Sequence, residues 1–117
     1  MSDNNESGQT QESIAPVDFG KDIAMNPGAI VSKTLRKSAS LNLTLFAFDK
    51  GQALSGHSSP MDAYVQIVSG RMLITIGGED FNLTEGQLIL MPAGIDHALE
   101  ALEPSKMLLT MTPEVSS

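Results

Sequence analysis

Two glycine-punctuated stretches decide the fold of this chain: GQALSGHSSPMDAYVQIVSG at residues 51–70 and EGQLILMPAGIDHALEA at residues 85–101. Together they contain both histidines of the sequence, His57 and His97. Each histidine lies in an apolar run that glycine and proline interrupt. Because apolar runs pack against each other to leave water, we expect the two stretches to bring both imidazoles to the mouth of one pocket.

The sequence around these stretches has the period-two pattern of β-strands. In residues 41–45, for example, leucines alternate with Asn42 and Thr44, as in a half-buried strand. The predicted strands cover residues 30–35, 41–45, 63–68, 72–76, 81–83, 88–91, 97–102 and 106–112. Gly70 and Gly78 fall in tight turns that require a positive φ. Short strands at this spacing predict an all-β sandwich or barrel with little helix.

The length of 117 residues fits one domain. Residues 1–13 are predicted to be a flexible acidic and polar tail, because they contain too few apolar side chains to offset the entropy of ordering. Residues 14–28 are predicted to form an N-terminal arm. The barrel is predicted to span residues 29–113, and residues 114–117 form a C-terminal tail.

The composition excludes several classes of partner. Fourteen acidic and seven basic residues give a net charge of −7, which disfavours binding to nucleic acid or to an anionic membrane surface. Apolar runs are far shorter than the roughly 18 residues that span a bilayer. The acidic start lacks the pattern of a signal peptide, and the sequence contains no cysteine, so a cytoplasmic location is predicted.

The spacing of the glycines, histidines and one proline matches a known pair of motifs. The first motif is matched by Gly51, His57 and Gly70, and the second by Gly86, Pro92, Gly94 and His97. In these positions the chain resembles the cupin superfamily, specifically the small single-domain bacterial cupins of RmlC-like type. The resemblance covers about residues 29–112. It implies a double-stranded β-helix, or jelly-roll, barrel.

The first motif is degenerate, and this affects the metal site that the resemblance implies. A metal-dependent cupin holds its ion with three histidines and one glutamate. Ser59 replaces one of these histidines, Ala63 replaces the glutamate, and His57 and His97 remain. First-row divalent metals usually take at least three protein ligands. Two alternatives therefore stay open: a divalent Mn, Fe, Ni, Cu or Zn ion held by the two histidines, or no metal.

A metal-free pocket would use the same residues to bind a small molecule directly. Burial and mutual repulsion lower the pKa of neighbouring imidazoles, which would leave both neutral and able to hydrogen-bond a polar or anionic ligand. We predict His57, Ser59 and His97 as ligand-binding residues, with Tyr64 or Gln66 as further donors. Methionines are candidates for the pocket wall: Met61, Met72, Met91, Met107 and Met111.

Three alternatives to simple binding remain. The chain could be an oxygenase, isomerase or epimerase, with or without metal, although a histidine base usually needs an aspartate to orient it and a cation for the substrate. Asp62 and Asp96 are the nearest carboxylates, but strand alternation turns both away from the pocket. A non-catalytic ligand sensor is the second alternative, and ordinary core histidines are the third. No catalytic residue is assigned. The outward face of Tyr64, Gln66 and Val68 predicts a homodimer.

Overall fold

The computed structural model describes residues 15–113, apart from the side chains of His57 and Pro113. The predicted tails at 1–13 and 114–117 lie outside the described residues. Within residues 15–113 there are nine strands: β1 (Ile30–Lys37), β2 (Asn42–Phe48), β3 (Ala53–His57), β4 (Met61–Ser69), β5 (Arg71–Ile76), β6 (Glu79–Thr84), β7 (Leu88–Met91), β8 (His97–Ala101) and β9 (Ser105–Pro113). None of these residues forms a helix of the length and apolarity that crossing a membrane requires.

The strands form two antiparallel sheets that pack face to face. The first sheet has the order β1-β2-β9-β4-β7, and the second has the order β3-β8-β5-β6. Neighbours in each sheet are mostly distant in sequence, as expected when a chain winds between two sheets. The all-β jelly-roll barrel predicted from the sequence is therefore confirmed.

Strand β4 shows why the alternating sequence produces a two-layered core. Ala63, Val65 and Ile67 point between the sheets and are buried, whereas Tyr64 and Gln66 are on the opposite face. Successive side chains of a strand point to opposite faces, so an alternating sequence creates one apolar face. The buried residues of β4 pack with those of both sheets in one continuous core.

Strand β3 was not predicted. Its sequence ALSGH contains small residues and a glycine, which weaken the alternating signal. The strand forms by pairing with β8, and a bulge interrupts the register between Leu54 and His57. The pairing with β8 supplies the backbone hydrogen bonds that local sequence preference does not favour.

The N-terminal arm packs on the outer face of the first sheet. A single hydrogen-bonded turn, in which the Asp22 N–H donates to the Asp18 carbonyl at 2.8 Å, starts this segment. Ile23 is buried against Leu45 and Ala47 of β2, and Phe19 packs beside it. The arm therefore covers the part of the outer face that lies over β1 and β2.

The turn between β4 and β5 closes the end of the barrel opposite His97. Gly70 has a φ of 87°, and a Cβ built there would collide with the Ser105 Oγ and the Pro104 carbonyl. The buried Ser105 hydroxyl accepts the Arg71 N–H at 3.0 Å and donates to the Glu103 carbonyl at 2.8 Å. Only glycine combines this φ with this close approach.

Candidate ligand-binding cavity

The two sheets enclose a cavity of about 350 Å³ near the start of β8. The first sheet contributes Phe46, Ala63, Met91, Met107, Leu109 and Met111 to its wall. The second sheet contributes Leu54, His97 and Leu99, and the β3–β4 loop contributes Ser58, Ser59 and Pro60. Ser58 and Pro60 are exposed, so this loop forms the rim through which the cavity meets solvent. The volume falls within the range of small-molecule sites, roughly 300–1,000 Å³.

The cavity exists because a small residue occupies the centre of its wall. Ala63 of β4 is opposite Met91 of β7 on one side and opposite Met111 of β9 on the other. All three side chains point between the sheets. The methyl group of Ala63 fills little space, which leaves room between the methionines.

His97 is placed by the bend that precedes β8. The chain turns at Pro92-Ala93-Gly94, where Gly94 has a φ of 79°, and β8 begins three residues later. The backbone of His97 then pairs with Ile76 of β5 and with His57 of β3. As a result the imidazole of His97 lies in the cavity wall and is 7% exposed.

Two loops at the rim are joined by hydrogen bonds. The Gly94 N–H donates to the Ser59 carbonyl at 2.8 Å. The Ala93 N–H donates to the Asp62 carboxylate at 2.9 Å. The Ser59 hydroxyl accepts the Met61 N–H at 3.1 Å. The carboxylate of Asp62 therefore holds the bend before His97 and is directed away from the cavity, as strand alternation predicted.

The structure separates the residues predicted for the pocket into three groups. Ser59 and His97 line the cavity. For His57 the backbone is described, and it is the direct partner of His97 across β3 and β8. Tyr64 and Gln66 lie on the outer face of β4, so the suggestion that they add donors to the pocket is wrong. Their positions alternate with Ala63 and Val65, which face inward.

Three of the candidate methionines, Met91, Met107 and Met111, line the cavity, whereas Met72 is in the fully packed core. Four further wall residues were not predicted as part of a site: Phe46, Leu54, Leu99 and Leu109. The inward orientation of Leu99 and Leu109 follows from the alternation in their predicted strands, whereas Leu54 and Phe46 lie outside the predicted strands. Their proximity to His97 was not predictable, because that depends on how the two sheets pair.

The donors of the cavity do not match a typical divalent-metal site. Among the described lining residues, His97, Ser58 and Ser59 carry polar side chains and none is charged. The described residues contain no cluster of three or more histidine, aspartate or glutamate side chains. Divalent first-row metals need ligands of these kinds, and neutral hydroxyls substitute poorly for them. The described donors therefore do not complete a metal shell.

Two antiparallel sheets around an internal cavity define a jelly-roll barrel of the cupin type. The chain belongs to the cupin domain family, whose model matches residues 44–112. A conserved protein of unknown function from Streptococcus pyogenes has 40% identity, with 92% of this chain and 95% of that chain covered and a TM-score of 0.83.

Two further proteins are similar to this chain. A cupin 2 conserved barrel domain protein from Leptotrichia buccalis has 34% identity and a TM-score of 0.77, and the match covers 80% of this chain and 45% of that chain. An uncharacterized protein of Streptomyces coelicolor has 29% identity over 94 residues, which are 80% of this chain and 88% of its own length.

Proposed function

We propose that the barrel binds a small, mostly apolar molecule in the cavity between its sheets. The observation that carries the proposal is a cavity of about 350 Å³ whose wall is apolar except for His97 and the two rim serines. Pockets of this kind obtain affinity from apolar contact and orientation from a few polar groups. His97 and Ser59 are the polar groups that orient the ligand in this proposal.

His57 is proposed as a further polar contact because of its register. Its backbone is directly opposite that of His97, and directly opposed residues of an antiparallel pair belong to the same face of a sheet. The proposed ligand-binding set is therefore His57, Ser59 and His97, as the sequence predicted.

Binding is favoured over acid–base catalysis because the described residues of the cavity wall include no charged side chain. A histidine base is usually oriented by a carboxylate, and its substrate is usually held by a cation. The described lining residues provide neither group. The carboxylate of Asp62, at the rim, accepts the Ala93 N–H and holds the bend before His97. We therefore propose a binding or ligand-sensing protein rather than an oxygenase, isomerase or epimerase.

The proposal is tested with a substitution that fills the cavity. Binding of two apolar alcohols, 1-octanol and 2-naphthol, is measured by ligand-observed NMR. Ala63→Leu places a larger side chain at the centre of the wall, and Ala39→Leu makes the same change at an exposed loop position. Binding to the parent and to Ala39→Leu, with at least tenfold weaker binding to Ala63→Leu, supports the proposal. Absence of binding, or equal binding to all three proteins, contradicts it.

The opposed positions of His57 and His97 favour a second candidate, in which the two imidazoles hold a divalent metal. Water or the ligand itself would have to supply the remaining donors. Elemental analysis of protein purified without chelator tests this candidate beside His57→Ala and His97→Ala. Near one equivalent of Mn, Fe, Ni, Cu or Zn in the parent, lost in both variants, supports it. Substoichiometric metal in all three rejects it.

A homodimer is also proposed, through the part of the outer face that the arm leaves uncovered. Leu88 and Leu90 of the edge strand β7 are 61% and 41% exposed and lie beside Tyr64 and Gln66. Light scattering after size exclusion tests this proposal. A dimeric parent and a monomeric Leu88→Glu variant support it, and a monomeric parent contradicts it. The cytoplasmic location stays a prediction.

A further inference from the structure

The wall of the cavity contains a row of three residues from three adjacent strands. Met91, Ala63 and Met111 are direct partners across β7, β4 and β9, so they lie side by side on the inner face. Adjacent strands are about 4.8 Å apart, which places each methionine backbone about 5 Å to one side of Ala63. A group seated over Ala63 is therefore flanked by a thioether on each side.

The spacing of the strands in this row leaves both methionine side chains within reach of an aromatic ring seated over Ala63. Methionine sulfur atoms contact aromatic rings favourably at about 5 Å, often at the ring edge. A flat ring over Ala63 would meet Met91 at one edge and Met111 at the other. A saturated ring of the same size would fill the space but would lack this attraction.

A second feature of the wall also suits an aromatic ligand. Phe46 lines the cavity, and its ring packs on the buried Phe48 with ring centroids 5.8 Å apart and planes inclined by 33°. This contact joins the two rings on the inner face of β2. Aromatic pairs gain energy beyond the burial of apolar area when their rings are offset or tilted. The cavity therefore offers an aromatic surface in addition to two thioethers.

The charge of the ligand follows from the remaining lining residues. No lysine or arginine is among the described residues of the wall, and the chain has a net charge of −7. An anionic ligand would lose hydration without gaining an ion pair. His97 and Ser59 instead suit a neutral hydrogen-bonding group such as a hydroxyl.

We infer that the ligand is a neutral aromatic molecule of one or two rings with one hydrogen-bonding group, seated over Ala63 between Met91 and Met111. This inference rests on the proposed function and adds the chemical class of ligand to it. The aromatic ring occupies the row of thioethers, and the polar group is directed toward His97.

The experiment compares two probes of the same skeleton, 2-naphthol and its fully saturated analogue decahydro-2-naphthol, by isothermal titration. Met91→Leu/Met111→Leu keeps the side-chain volume and removes both sulfur atoms. Met61→Leu is the control, because Met61 is on β4 but outside the cavity wall. Met111→Leu alone replaces the double variant if the latter does not fold.

The parent and Met61→Leu are expected to bind the aromatic probe about tenfold more tightly than the saturated probe. This preference should fall to about twofold in the double variant, since the saturated probe loses little when sulfur is removed. Equal binding of both probes to the parent overturns the aromatic inference and leaves the proposed function intact. A preference that the double variant retains also overturns it. If neither probe binds, the inference and the proposed function both fail.

Discussion

The two ends of the barrel are built from the same strands but are filled differently. At the packed end, defined here by Phe48, Ile67, Met72, Ala101 and Ser105, side chains are at most 1% exposed. At the cavity end, defined by Ser59, Ala63, Met91, His97 and Met111, the wall surrounds open space. Strand β4 runs between the two ends, and its buried side chains increase in size from Ala63 through Val65 to Ile67.

This difference shows that a cavity can form where the inward side chains at one end of a regular core are small. Strand β4 pairs with the same partner, β9, at both ends, with one register on β9 from Met61 to Ile67 and a shift only between Ile67 and Ser69. What changes is the volume of the inward side chains. Stability should therefore depend mainly on the packed end, and ligand binding should depend mainly on the cavity end.

The largest expected contrast is between two buried methionines. Met72→Ala should cost about 3 kcal/mol of unfolding free energy, because a cavity replaces a fully packed side chain. Met91→Ala should cost about 1.5 kcal/mol, because Met91 already borders open space and has fewer contacts to lose. Urea denaturation measures both values. Equal costs would show that the two ends are packed alike.

Gly70 and Gly78 have the same φ of 87°. Alanine substitution at each position therefore distinguishes the cost of backbone strain from the cost of steric collision. At Gly78 a Cβ has nothing within 4 Å, so Gly78→Ala should cost about 1 kcal/mol from the backbone alone. At Gly70 the Cβ would collide with Ser105 and Pro104, so Gly70→Ala should cost about 3 kcal/mol. Thermal unfolding followed by circular dichroism tests the order. A larger loss for Gly78→Ala would contradict it.

Substitution of two buried alanines, Ala101 and Ala63, tests whether the packed end and the cavity end differ in free volume. Ala101→Leu at the packed end should destabilise the fold by about 2 kcal/mol, because no space exists for the extra methylene groups. Ala63→Leu should change stability by less than about 1 kcal/mol, because the leucine enters the existing cavity. Calorimetry of both variants is the measurement. A strongly destabilised Ala63→Leu protein would mean that the space beside Ala63 is smaller than described.

The smallest effect is expected from Asp49, which follows β2 beside the packed end. The N–H of Gly28, at 2.6 Å, and then the N–H of Lys50, at 2.9 Å, lower the pKa of its carboxyl below the usual 3.8. A carboxyl whose pKa is lowered by folding stabilises the fold at pH values above its unfolded-state pKa. This stabilisation is lost as pH falls through the folded-state pKa. Asp49→Asn should therefore lower Tm slightly near pH 7.

The same variant should differ less from the parent at about pH 2.5, because the stabilisation by the carboxylate decreases as pH falls below 3.8 and toward the lowered pKa of the folded state. Thermal scans of both proteins at the two pH values provide the check. A difference in Tm that is as large in acid as at neutral pH would show that the carboxylate charge contributes nothing.

Much of the fold was predictable because most strands have an alternating sequence with glycine or proline at their ends. Residues 88–91 were assigned with the bounds that the structure has, since Gly86 and Pro92 mark the turns on either side. Strand β3 was missed because its pairing with β8 overrides a weak local signal. Its ends are set by tertiary contacts, which no local pattern contains.

The candidate site was predictable in part. Motif spacing selected His97 and Ser59, which line the cavity, and alternation correctly turned Asp62 away from it. The attachment of Asp62 to Ala93 was not predictable, because these residues are 31 positions apart and meet through sheet pairing. The row of Met91, Ala63 and Met111 likewise depends on the register of three strands.

The bond between the Gly94 N–H and the Ser59 carbonyl has a consequence for divergence within the family. It joins main-chain atoms, so substitution of the serine side chain leaves it in place. Residues that face the opening can therefore change over generations while the outline of the opening persists. If the cavity binds a ligand as proposed, such a frame would let a lineage exchange one ligand for another through a few point mutations, without rebuilding the barrel.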